Sequence, residues 1–106
     1  MSRDSTDAPA LTRSTLMALR RVLHAFRDGW RLEGRLAAAA RMAAEDARLT
    51  HASAAQMVVT LKREWQQLDE VRGLSPLDAE ELRCRLVTLS IAAYFASERA
   101  GPRRAA

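Results

Sequence analysis

Apolar residues recur at alternating steps of three and four along residues 16–30, and this spacing constrains the fold more than any other feature of the chain. The line consists of Leu16, Leu19, Leu23, Phe26 and Trp30. Such steps bring side chains to one face of an α-helix, as in the core of a heptad repeat. The same register continues past Glu33 to Ala37, Ala40, Ala44 and Ala47. The sequence therefore predicts a helical core that changes from bulky to small side chains along its length.

Arginines at seven-residue spacing favour a single long first helix over residues 8–48. One heptad position holds Arg13, Arg20, Arg27, Arg41 and Arg48. Because this phase is kept on both sides of Gly29 and Gly34, we expect one helix, kinked at most at those glycines, each costing about 1 kcal/mol relative to alanine. The alternative is a break at Gly29 that gives two shorter helices, although Trp30 and Arg31 are poor N-cap residues.

Two further helices are predicted to form a hairpin after the first. One spans residues 53–72, where Ser53 and Gln56 have the spacing of a capping box. The other spans residues 76–99 and has Ser75 as its N-cap. Apolar residues occupy most of the circumference of this last helix, so one neighbouring helix cannot cover it.

Length and composition indicate one small all-α domain. The chain has 106 residues with only three prolines and four glycines, too few for the turns of a many-stranded β fold. We expect a flexible tail at residues 1–7, a single helical domain at 8–100 and a flexible basic tail at 101–106. The one cysteine, the absence of an apolar leader and the absence of an apolar run of about 20 residues predict a cytoplasmic protein without a membrane span.

The alanines and the apolar last helix together predict a homodimer. A first helix over 8–48 would be about 60 Å long, so the shorter hairpin would leave part of it uncovered. Alanine allows another backbone to approach closely, and two-fold assembly is the commonest closure. The expected interface residues are Ala37, Ala40, Ala44, Ala47, Cys84, Val87, Ile91, Tyr94 and Phe95. The alternative is a monomeric four-helix bundle in which the alanines are merely good helix formers.

The arginines of the first helix are the feature with the clearest functional pattern. Positions seven apart rise about 10.5 Å along a helix. Candidate contacts to phosphates or to an acidic partner are therefore Arg13, Arg20, Arg27, Arg41 and Arg48. Acidic residues elsewhere in the chain are alternative partners for them. No aromatic residues alternate with the arginines, so stacking on single-stranded nucleic acid is not supported, and nucleic-acid binding is the second hypothesis.

The sequence contains no recognisable catalytic or metal-binding motif. His24, His51 and Cys84 lie far apart, and no glycine-rich phosphate loop, nucleophile elbow or zinc motif occurs. We expect no catalytic residue, no metal and no cofactor. The predicted function is that of a non-enzymatic helical interaction or regulatory protein, whose partners are a second copy of itself and an unidentified protein.

Residues 73–91 resemble part of the small all-helical chorismate mutases. "GLSP" at 73–76 opens the last predicted helix and "LS" recurs at 89–90, after a long first helix and a medium second one. The resemblance implies an interlocked dimer and, as a third hypothesis, a mutase-like enzyme. The lysine and the acidic–arginine motif of that family have no counterpart, because Lys62 is the sole lysine and residues 49–56 contain neither carboxylate nor arginine. No catalytic role is therefore assigned.

Overall fold

The computed structural model describes residues 11–29 and 31–105, and the side chains as far as residue 96. These residues form helices and no strand: α1 (Arg13–Asp28), α2 (Leu32–Leu49), α3 (Ala54–Gln67), α4 (Asp69–Arg72) and α5 (Pro76–Ala105). The predicted small all-α bundle is confirmed. The predicted tail at 1–7 and the predicted helix start at residue 8 lie outside the described residues. Over the described residues, no helix combines the length and the apolar character that a bilayer crossing requires.

The predicted continuous helix over 8–48 is wrong, because the chain breaks at Gly29. Gly29 has a φ of +72° and Arg31 a φ of +55°, both in the left-handed region. The Gly29 N–H donates to the Ala25 carbonyl at 2.7 Å and closes the end of α1. Glycine adopts this conformation without the steric cost of about 1–2 kcal/mol that a side chain imposes. The alternative of two helices is therefore correct, and Gly34 lies within α2.

A buried carboxylate of α2 holds the first turn of α1. Asp46 Oδ2 accepts the N–H of Thr12 at 2.9 Å and the hydroxyl of Thr15 at 2.7 Å. The hydroxyl oxygen of Thr12 in turn accepts the N–H of Thr15 at 3.2 Å as an N-cap. A negative charge at a helix N-terminus is favoured by the helix dipole. This contact links the start of α1 to α2. It lies at the end of the α1–α2 hairpin that is farthest from the turn at Gly29.

The alanines of α2 allow the surrounding helices to approach closely. Five of them are at most 5% exposed, namely Ala39, Ala40, Ala43, Ala44 and Ala47. Helix α2 contacts α1, α3 and α5 and so lies at the centre of the bundle. Larger side chains from the neighbouring helices fill the core around it, among them Leu19, Val22, Leu61, Trp65, Leu82 and Leu86. The small residues of the heptad line are thus an intramolecular packing surface.

The predicted second helix, at 53–72, is interrupted at Leu68. Its start is as predicted: Ser53 N–H donates to Gln56 Oε1 at 2.8 Å, and Gln56 N–H donates to Ser53 Oγ at 3.1 Å. Leu68 is extended, with a ψ of 131°, and is only 5% exposed. The helix therefore ends before this residue, the Leu68 side chain packs in the core, and α4 follows.

The predicted third helix begins where the sequence placed it but ends later. The Asp78 N–H donates to Ser75 Oγ at 3.1 Å, which confirms Ser75 as the N-cap. Helix α5 continues to Ala105, beyond the predicted end at residue 99 and through most of the predicted tail at 101–106.

Candidate interaction surfaces

The alanines expected at a dimer interface are already covered within one chain. Ala40, Ala44 and Ala47 are buried and Ala37 is half-buried. Their neighbours come from the same chain, because the break at Gly29 folds α1 back onto α2 and α5 packs against another side of it. Little of their surface is left for a second copy, and their contact with one stays a prediction.

The expected interface residues of α5 divide into an inward and an outward group. The hydroxyl of Tyr94 donates to the Ala52 carbonyl at 2.8 Å, and Val87 packs against the main core. In contrast, Cys84 is exposed, Ile91 is 37% exposed and Phe95 is 44% exposed. Only this outward group is available to another molecule.

An exposed line of side chains runs along the outer face of α5. Its members are Leu77, Glu81, Cys84, Thr88, Ile91 and Phe95, which we call the α5 seam. They alternate in steps of four and three, so they share one face of the helix. The ring of Phe95 packs edge-on against Tyr94 with a centroid distance of 5.3 Å and an interplanar angle of 80°. The seam is a helix face of mixed character that the described chain leaves uncovered, with Glu81 and Thr88 between its apolar members.

A second exposed line runs along α1 and is mainly basic. Its members are Arg13, Met17, Arg20, His24 and Arg27, which we call the α1 stripe. Among the described residues, Arg13 and Arg27 form no ion pair. The guanidinium of Arg27 lies 3.5 Å from where a Cβ of Gly73 would stand. The predicted five-arginine line is divided, because Arg41 and Arg48 belong to α2.

A groove of about 560 Å³ lies beside the α1 stripe where α1 meets α4. It is lined by Arg13, Leu16, Met17, Arg20, Arg21, His24 and Glu70. The Glu70 carboxylate lies 3.7 Å from Arg20 Nε and 3.9 Å from His24 Nε2, beyond hydrogen-bond distance. Its Oε1 is buried and has no hydrogen-bond partner among the described residues. The groove therefore combines an excess of positive charge with apolar Leu16 and Met17.

Glu80, Arg83 and Cys84 lie near one another on α5. A hydrogen bond from Arg83 lowers the pKa of Glu80, whose Oε2 also lies 3.6 Å from the thiol sulfur of Cys84. His51, at the end of α2, has a φ of +60°. Within the part of the chain that the structure describes, no three His, Cys, Asp or Glu side chains converge as metal ligands would.

No protein-family model, curated protein or solved structure matches this chain significantly. The resemblance to chorismate mutases depended in part on a long first helix, which the structure replaces with the hairpin of α1 and α2.

Two features of these surfaces were not predicted from the sequence. The position of Met17 between Arg13 and Arg20 was visible in the spacing, and it could have indicated a mixed basic and apolar face. The approach of Glu70 could not have been found in the same way, because it depends on the interruption at Leu68 that places α4 beside α1.

Proposed function

We propose that this chain is a small non-enzymatic helical protein that acts through protein–protein contacts and pairs with a second copy of itself through the α5 seam. The observation that carries the proposal is the exposure of apolar side chains at heptad spacing. Leu77 is 77% exposed, Ile91 37% and Phe95 44%. Ile91 and Phe95 lie one helical turn apart and together form an apolar patch, and such patches mark interaction sites, whereas scattered apolar residues do not.

The central seam residues suit an antiparallel pairing of two α5 helices. Cys84, Thr88, Ile91 and Phe95 follow one another in steps of four, three and four, a pattern that reads the same in both directions. Two antiparallel copies therefore set Cys84 opposite Phe95, and Thr88 opposite Ile91, in a self-complementary two-fold contact.

The charges along α5 favour the same direction. Its first turns carry Asp78, Glu80 and Glu81, whereas the sequence at 98–104 contains three arginines and one glutamate, Glu98, which this pairing sets opposite Glu81. The end of the helix therefore has a net positive charge. An antiparallel pair brings these oppositely charged ends together, and a parallel pair brings like charges together.

Sedimentation velocity on the full chain tests the pairing. We expect a species of twice the 11.8 kDa chain mass. The double variant Ile91→Glu with Phe95→Glu should be a monomer, because it places charges in the centre of an apolar contact.

A matched control uses apolar residues that are exposed elsewhere. Leu49 is 72% exposed on α2 and Val59 61% exposed on α3. Leu49→Glu with Val59→Glu should leave the dimer unchanged. A wild-type chain that stays monomeric at high concentration, or equal dissociation in both double variants, would contradict the proposal.

We propose the cytoplasm as the compartment. Cys84 is an exposed free thiol and the only cysteine in the chain. An exposed thiol persists in reduced form in the cytosol, where disulfides are rare.

A further inference from the structure

The α1 stripe and the groove beside it form a surface distinct from the α5 seam. We propose that this surface binds an acidic amphipathic helix of a partner protein, with carboxylates at heptad spacing and an apolar residue between them. The proposal goes beyond self-association and does not depend on it, because the two surfaces belong to different helices.

The spacing of the stripe fits a partner helix. Arg13, Arg20 and Arg27 are seven residues apart, so they rise about 21 Å along α1. A partner helix that lies along this face has the same rise per residue. Its side chains at any one heptad position therefore repeat at the same interval as the arginines. One carboxylate per heptad therefore meets one arginine.

The positively charged side chains of the groove can pair with carboxylates of a partner. Arg13, Arg20 and Arg21 line it against the single carboxylate of Glu70. That carboxylate is not within hydrogen-bond distance of Arg20, whose side chain is 54% exposed. The arginine therefore retains donors for an incoming carboxylate, and bidentate pairs of this kind are the stronger form of ionic contact.

The apolar centre of the surface favours a protein over a nucleic acid. Met17 is 50% exposed between Arg13 and Arg20, and Leu16 lies beside it at the wall of the groove. A sugar–phosphate backbone offers these side chains no apolar contact, whereas a leucine on a partner helix covers them. Glu70 also repels a DNA duplex more strongly than it repels such a partner helix. The duplex carries one negative charge per about 1.7 Å, whereas the helix carries one carboxylate per heptad.

Fluorescence anisotropy with a designed peptide tests the proposal on the full chain. The probe is a labelled helix of about three heptads with glutamate at one heptad position and leucine four residues later. A second peptide with lysine in place of each glutamate serves as the control ligand. We expect the acidic peptide to bind at physiological salt and the lysine peptide not to bind.

Variants of the stripe locate the site. Arg13→Glu with Arg20→Glu should weaken binding at least about tenfold, because two attractive pairs become repulsive. Arg41→Glu with Lys62→Glu makes the same charge change on exposed residues of α2 and α3, and it should alter binding less than about twofold. The variant pair Arg13→Gln with Arg20→Gln provides the same test without charge reversal if the first pair does not fold.

Two single variants separate this mode of binding from general attraction of anions. Met17→Gln should weaken the peptide about threefold, because it removes the apolar contact. Glu70→Gln should strengthen it about threefold, because it removes the carboxylate that competes for Arg20 and His24.

Three results would overturn the proposal. The first is no binding of the acidic peptide at millimolar chain concentration. The second is an equal loss in the stripe and control double variants. The third is tighter binding of a short DNA duplex than of the peptide at the same salt concentration, which would assign the stripe to nucleic acid.

Discussion

At the scale of single residues, the two glycines of the first half of the chain have opposite roles. Neither would place a Cβ within 4 Å of another group. Gly29 has a φ of +72°, so Gly29→Ala should lower the free energy of unfolding by about 1 kcal/mol. Gly34 is helical, so Gly34→Ala should raise it by about 1 kcal/mol. Urea unfolding followed by circular dichroism measures both.

The two glycine variants control for each other, because they make the same chemical change within five positions of sequence. A gain in stability for Gly29→Ala would contradict the left-handed conformation of Gly29.

A buried hydroxyl on α5 offers a second residue-scale test. Ser90 is fully buried, and its Oγ has no hydrogen-bond partner among the described residues. An unpaired buried polar group costs about 1–3 kcal/mol. We expect Ser90→Ala to raise the free energy of unfolding by about 1 kcal/mol in the same assay.

Exposed Ser14 on α1 provides the matched control for Ser90. Ser14→Ala should change stability by no more than the difference in helix propensity, about 0.5 kcal/mol. A loss of stability in Ser90→Ala would mean that the Ser90 hydroxyl has a partner in solution.

At the scale of helices, local signals in the sequence predicted the starts of α3 and α5. Ser53 with Gln56, and Ser75 with Asp78, act through atoms only three residues apart, so spacing alone identifies them. The break at Gly29 was missed because hydrophobic periodicity counts residues and does not detect a reversal of the chain. Arg31 is a poor N-cap residue, and this argued against a break. In the structure α2 nevertheless begins after Arg31 without a capping hydrogen bond from its side chain.

The contact of Asp46 with the start of α1 was also beyond sequence reasoning, since it joins residues that are 34 and 31 positions apart. Asp46→Ala leaves the Thr12 N–H and the Thr15 hydroxyl without this acceptor. We expect it to lower the free energy of unfolding by about 2–3 kcal/mol, and hydrogen exchange should show the largest loss of protection in α1.

The neighbouring Glu45 is exposed, so Glu45→Ala is the matched control and should change stability by less than about 0.5 kcal/mol. Equal effects of the two variants would contradict the capping role.

At the scale of the whole molecule, the sequence identified a small-residue surface but not what covers it. The alanines of α2 were expected to pack closely against a second copy. The covering elements are α1 and α5 of the same chain, because the turn at Gly29 returns α1 to α2. The apolar excess of α5 was also recognised, and part of it is exposed as expected at Ile91 and Phe95.

The direction of the proposed dimer can be tested by cross-linking. In the antiparallel pairing, Cys84 lies opposite Phe95 of the second copy. Phe95→Cys should therefore give a disulfide-linked dimer under mild oxidation, whereas the wild-type chain should remain uncross-linked on a non-reducing gel. Efficient cross-linking of the wild-type chain through Cys84 would instead indicate parallel helices.

The central position of α2 limits how this protein can change over time. Its buried face is built from the smallest side chain that still favours a helix, and Ala43, for example, is 0% exposed. Any enlargement there would push neighbouring helices apart, at a cost of about 1–3 kcal/mol. Variation is therefore tolerated mainly on the outward sides of the helices, so new binding specificities can arise there without rebuilding the interior.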